Sequence, residues 1–209
     1  MGADKETREK LIESAKAEFL EKGYMKASLR SICAKAGVTT GALYFFFDNK
    51  EDLFADVVDK PLNELFTLLK EHFEADNEAV AQLEVTDSME NDEDHMALAY
   101  GIVHLLYSNY DAFLLLITKA QGSRYEHIMD SMADSLEKNY RSTVAIAIRK
   151  FPFIKTNEYM LRWLTHMSVD AFLYLFIHER DETQAKRHVK RIMNSILRNW
   201  YELLLTPDE

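Results

Sequence analysis

Residues 28–44 read Ser28-Leu29-Arg30-Ser31-Ile32-Cys33-Ala34-Lys35-Ala36-Gly37-Val38-Thr39-Thr40-Gly41-Ala42-Leu43-Tyr44, and the punctuation of this stretch decides the fold. Leu29, Ile32, Cys33 and Ala36 recur at the three-and-four spacing of one helix face. Ser28 stands where a hydroxyl can accept from the unpaired N–H groups of a helix start. Gly37 stops that helix, and the residues from Val38 to Tyr44 suffice for two more turns with a threonine cap. The pattern is helix, tight turn, helix. Ala36 and Gly37 let the two helices approach and the chain reverse, while Leu29, Ile32, Val38, Leu43 and Phe47 supply a small core that fixes their angle.

Working outward, residues 7–22 carry Leu11, Ile12, Ala15, Phe19 and Leu20 on one helical face, and Gly23 ends that helix. Downstream, Asn49 followed by Asp52 resembles a capping box. Leu53, Phe54, Val57 and Val58 then open a long helical pattern that continues through Leu62, Leu65, Phe66, Leu69 and Phe73. Pro61 falls inside it, which predicts a kink near residues 57–60 or a division into two helices. The acidic stretch 74–94 reads as a loop with at most one short helix. Four helical patterns follow at 93–109, 112–119, 125–150 and 157–178, with the polar run 121–125 as a helix break, and a last one spans 182–205. That last helix carries Val189, Ile192, Met193, Ile196, Leu197, Trp200, Leu203 and Leu204. So wide a stripe can cover its own core and leave surface for a partner, so the last two helices are the expected dimer interface.

Only 6 Gly and 3 Pro interrupt 209 residues, which favours long helices over many short strands; the expectation is an all-α protein. The single cysteine, Cys33, excludes an intrachain disulfide, and no long apolar run opens the chain, so a reducing cytoplasm is expected. The most apolar stretch, 169–177, is far too short to span a bilayer, and no membrane partner is expected. A net charge of -10 argues against nucleic acid until its distribution is considered. Residues 1–50 carry nine Lys/Arg against seven Asp/Glu, a balance of +2, leaving -12 for residues 51–209. Only the first segment can sit comfortably on phosphate.

Taken in order and spacing, Ala15, Phe19, Gly23, Tyr24, Ser28, Leu29, Ile32, Ala36-Gly37-Val38, Gly41, Leu43-Tyr44, Phe47, Lys50-Glu51 and Leu53 resemble the N-terminal signature of the tetracycline-repressor (TetR) family. The resemblance covers about the first quarter of the chain; the remainder is similar only in the number and length of its helices. It implies a helix-turn-helix DNA-binding domain at 1–49 and a larger helical-bundle domain at 50–209 for ligand binding and dimerisation. It also implies a homodimeric repressor of a palindromic operator, released by a small effector. By position, Ser28 would cap the scaffold helix and touch a phosphate, Arg30 would reach a base, and Thr39, Thr40, Gly41 and Ala42 would lie against the major groove. Tyr44 and Lys50 would bind phosphates. Phe45-Phe46 departs from the family's usual polar pair and removes possible phosphate contacts.

In the second half, Tyr100, His104 and Tyr107 share a helix face, and Tyr125, Trp163 and His166 add aromatic or polar edges. A bundle pocket lined in this way suits an apolar or aromatic effector held by a few hydrogen bonds. His166 with Asp170, or His104 with Tyr100, falls short of a metal ligand set, so neither metal nor cofactor is expected. No zincin spacing, phosphate loop or nucleophile elbow is present, which leaves an enzyme reading without a constellation. Lys186, Arg187, Lys190 and Arg191, interleaved with acidic neighbours, read as a solvated face.

Overall fold

The computed structural model describes residues 2–82, 92–152 and 155–204. These form nine α-helices and no strand among the described residues. The helices are α1 (Gly2–Lys26), α2 (Leu29–Ala36), α3 (Thr40–Phe46), α4 (Lys50–Gln82), α5 (Asp92–Ser108), α6 (Tyr110–Thr118), α7 (Ile128–Lys150), α8 (Glu158–His178) and α9 (Glu182–Leu204). The backbone of α1 leaves the helical region at Gly23, whose φ of 75° only glycine adopts at little cost.

Two compact units result. The first comprises Met1–Glu64 and Asn109–Met129, so it includes α6 and the turn after it as well as the N-terminal helices. Its centre is fully buried apolar side chains: Leu11, Ala15, Phe19, Ile32, Leu43, Leu53, Phe54 and Val58, with Phe113 and Leu115 from α6. Phe19 and Tyr24 each meet the Phe54 ring near edge-on, at centroid distances of 4.9 and 5.2 Å. The second unit comprises Leu65–Ser108 and Asp130–Glu209. There Ala99 and Val103 of α5, Leu175 of α8, and Ala185 and Val189 of α9 form one core cluster. Leu161 and Leu164 of α8 pack with Tyr140, Val144 and Trp200 in another.

The structure corrects two readings of the sequence. Residues 74–82 are the last turns of α4 rather than a loop. Val80 packs on Ala147 and Phe151, and the Thr143 hydroxyl donates to Asn77 at 2.8 Å, so tertiary contacts carry the helix through an acidic segment. Residues 83–91 lie outside the described residues. Residues 125–127 belong to a turn rather than to α7, because Ser123 and Glu126 bond the backbone locally and Tyr125 is drawn to Asp59. Of the two outcomes expected at Pro61, division into two helices does not occur: α4 remains one helix.

Candidate nucleic-acid interface

Each helix end in the segment that decides the fold is closed by its own sequence. Ser28 accepts from the Ser31 N–H, and at the other end of α2 Gly37 takes a left-handed conformation with φ 70°. The Gly37 N–H then donates to Ala34 and the Val38 N–H to Cys33, at 3.3 and 3.0 Å. This pair of bonds satisfies the last carbonyls and turns the chain. Thr39 caps α3 by accepting from the Ala42 N–H at 3.2 Å, and Asn49 caps α4 by accepting from Asp52 at 3.0 Å. Leu43 and Phe47 bury the inner side of α3.

The outer side of α3 is uncovered. Thr39, Thr40, Gly41, Tyr44 and Phe45 are exposed, Ala42 is half-buried, and Tyr44 and Phe45 are 56% and 75% exposed. A Cβ at Gly41 would meet only the Thr39 hydroxyl, at an ordinary 3.7 Å. The fold therefore gives no reason for glycine in this helix, where it costs about 1 kcal/mol relative to alanine.

Cations in the first fifty residues are mostly engaged. Arg8 pairs with Asp56 and lies over the Phe47 ring, Lys10 with Glu6, Lys16 with Glu13, and Lys22 and Lys35 with Glu18. Arg30 and Lys26 are exposed, and neither has an ion pair among the described residues. Sequence reading singled out Arg30 and passed over Lys26. Lys50 is used differently: its ammonium donates to the carbonyls of Tyr24, Met25 and Ala27 at 2.8, 3.3 and 3.4 Å and sits over the Tyr24 ring. To reach a phosphate it would have to leave three acceptors.

Two polar ties missed by sequence reading hold this platform. Glu18 is fully buried between α1 and α2. It accepts from Lys22 at 2.6 Å, Lys35 at 2.8 Å and the Ser31 hydroxyl at 2.9 Å. Burial pushes its carboxyl up, but those donors and the Ser28 N–H outweigh burial and hold it down to about 2. The second tie joins α4 to the turn after α6. Glu51 accepts from the Tyr24 hydroxyl and the Arg124 N–H at 2.7 and 3.0 Å, and Asp59 accepts from the Tyr125 hydroxyl. Burial, reinforced by the acceptor carboxylates, pushes both phenols up to about 12, so both remain donors.

The six residues expected to line an effector pocket are dispersed. Tyr125 lies in the first unit, on Asp59. Tyr100 is half-buried against the α5/α8/α9 core, Tyr107 donates to the Glu179 carbonyl at 2.8 Å, and His104 is exposed and pairs with Glu182. Trp163 and His166 share an open concavity of about 410 Å³ along α8 that also involves Tyr159 and Arg162. Most of the apolar stripe of α9 is spent inside its own unit: Val189, Ile196 and Leu197 are buried, and Ile192 and Met193 pack beside them. Among the described residues of this unit, the large apolar side chains left uncovered lie instead on α8: Tyr159, Trp163, Tyr174 and Ile177.

Among the described residues, no single helix is long and apolar enough to cross a membrane. The sequence profile described as "Bacterial regulatory proteins, tetR family" matches residues 11–57. The chain is 43% identical over 53 residues to the HTH-type transcriptional repressor BepR of Brucella suis, covering 25% of each chain. It is 26% identical over 163 residues to the HTH-type transcriptional repressor KstR2 of Rhodococcus jostii, covering 75% of this chain and 78% of that one. The chain thus spans only about a quarter of the length of relatives such as BepR. Among solved structures, MexZ of Pseudomonas aeruginosa, a repressor, aligns over 96% of this chain and 98% of its own at TM-score 0.60 and 17% identity. A TetR-like transcriptional regulator from Rhodococcus sp. RHA1 aligns over 94% and 96% at TM-score 0.62 and 15% identity. These relatives are regulators of transcription, not enzymes.

Proposed function

We propose that this chain, a member of the TetR family, is a DNA-binding regulator of transcription, most simply a repressor, that places α3 in the major groove. The observation that carries the reading is the outer face of α3: a capped helix with a glycine the fold does not require and no acidic residue of its own. A glycine there lets backbone approach base edges closely. Arg30 stands by at the start of α2 for a base, while Ser28 and Tyr44 serve phosphates. Lys50 acts from behind, fixing the segment between α1 and α2 through its three carbonyls.

The unit of binding is a homodimer on a palindromic operator, with recognition helices about 34–36 Å apart. The uncovered stripe of Tyr159, Trp163, Tyr174 and Ile177 on α8 supports this pairing. Release by a small apolar or aromatic effector in the second unit completes the reading, supported by the half-buried Tyr100 and Tyr107 on α5.

The test is selection of bound sequences from a random DNA pool by the purified chain, alongside Arg30→Ala, Tyr44→Phe and Gly41→Ala. Enrichment of a palindrome, weakened in all three variants while Gly41→Ala keeps or gains stability, is expected. Loss of Arg30 from a base contact should cost about 1–3 kcal/mol and relax one position. No enrichment at low salt overturns the reading, and a monomer by light scattering removes the palindrome. An operator affinity that no ligand alters removes the effector.

A further inference from the structure

In the second unit, three ligand-bearing side chains converge where α4 meets α5. His72 and Asp76 lie one turn apart on α4, and His95 comes from α5. His72 Nε2 is 3.2 Å from Asp76 Oδ2 and 3.2 Å from His95 Nδ1, and the three ligand atoms all lie within 4.8 Å of one another. The His72 and Asp76 side chains are only 8% and 14% exposed.

Hydrogen bonding among the three groups satisfies only one of the two contacts at His72 Nε2 at a time. One ring nitrogen carries either a proton or a lone pair. If His72 Nε2 donates to Asp76, it has no lone pair for the His95 ring; if it accepts from His95, its lone pair faces a carboxylate. A divalent cation between the three atoms satisfies them all. In a tetrahedral zinc site with bonds of about 2.0–2.1 Å, neighbouring ligand atoms stand roughly 3.3–3.4 Å apart, close to both spacings seen here.

The surroundings are those of a cation site. His72 and Asp76 line a concavity of about 410 Å³ with Glu71, Asp94, Leu68 and Leu98, and among the described residues no Lys or Arg lines it. Room remains for water as a further ligand. A second grouping, Asp134, Glu137 and His166, has similar proximity but a different character. Arg141 already bonds Glu137 at 2.7 Å and Arg162 stands 3.7 Å away, so protein cations fill that place.

We propose that His72, Asp76 and His95 form a binding site for a divalent transition-metal ion, with zinc the best match to two imidazoles and a carboxylate. The site rests on no premise about DNA, because the metal alone is the probe. Full-length chain stripped with chelator and titrated with Co²⁺ should bind one ion per chain, give the intense visible absorption of a four-coordinate site, and release the ion to equimolar Zn²⁺. His72→Ala and His95→Ala should each weaken binding by about 100-fold or more, and Asp76→Asn should reproduce the loss with the least change of shape. His166→Ala should leave binding unchanged. Far-UV circular dichroism identifies any variant that has lost its helices, and the wild-type absorption needs no variant. Weak, unsaturable absorption of a six-coordinate ion overturns the proposal, as does binding that survives His95→Ala in a folded chain or depends on His166.

Discussion

The two units treat an enclosed carboxylate in opposite ways. Glu18, wholly out of solvent between α1 and α2, is met by two ammonium groups, a hydroxyl and a backbone N–H. Asp76, half-buried, stands with the His72 and His95 imidazoles and lines a concavity with more carboxylates. A charge removed from water is costly unless it is paired and hydrogen-bonded. The first arrangement meets that demand within the chain and therefore serves the fold. The second leaves a positive charge to be supplied from outside.

The largest effect expected from this contrast is at Glu18. Glu18→Gln should lower stability by about 3 kcal/mol in urea denaturation, since it removes the charge that three side chains converge on. A costless substitution would break the comparison at once. The pH dependence has a definite sign. The folded carboxyl titrates at about 2 against an ordinary 4.5, so its contribution is present above about 4.5 and is lost as pH falls from there toward 2. The gap between wild type and Glu18→Gln should close over that window, and a gap that persists at pH 2 would assign the loss to packing instead.

Next in size, Zn²⁺ at a hundredfold excess over its dissociation constant should stabilise the wild-type chain by about 2.7 kcal/mol and leave His95→Ala unchanged in the same denaturation assay. Ser28→Ala should cost about 1 kcal/mol, because the α2 cap is local and solvent can replace part of it. The smallest effect sharpens the contrast most. With chelator present, Asp76→Asn should change stability by less than about 0.5 kcal/mol, or raise it, because among the described residues no Lys or Arg pairs with that carboxylate. A loss as large as that of Glu18→Gln would make Asp76 a structural residue like Glu18.

Legibility follows the same division. Ser28, Gly37 and Thr39 act on backbone within a few residues, so their roles could be read from the sequence and the structure places each at the helix end expected. Glu18 escaped because its partners Ser31 and Lys35 belong to another helix, and nothing in the periodicity of residues 7–22 marks it. The sequence reads Lys50 as a phosphate ligand; its bonds to main-chain carbonyls are not legible there, because no residue type advertises them. Residues 74–82 looked like a loop because their composition is acidic, whereas the helix is held by Val80 and Asn77 against α7. Tyr125, Trp163 and His166 join the expected effector residues by side-chain chemistry, and chemistry does not say that Tyr125 sits in a different unit from Trp163. The His72, Asp76 and His95 grouping was passed over because its third member comes from the far side of a break between helices.

The composition of the first unit bears on how such proteins can be recombined. Its N-terminal helices lean on a second, distant piece of chain: the Tyr24 N–H donates to Lys119, Glu51 accepts from Arg124, and Asp59 accepts from Tyr125. A cut after residue 64 would strip those partners away. The unit is therefore not a cassette that can be spliced in front of an unrelated bundle. A chimera that transplants this unit has to carry residues 109–129 along with the N-terminus or find an equivalent turn in the recipient, and the same requirement constrains any natural shuffling of the two units.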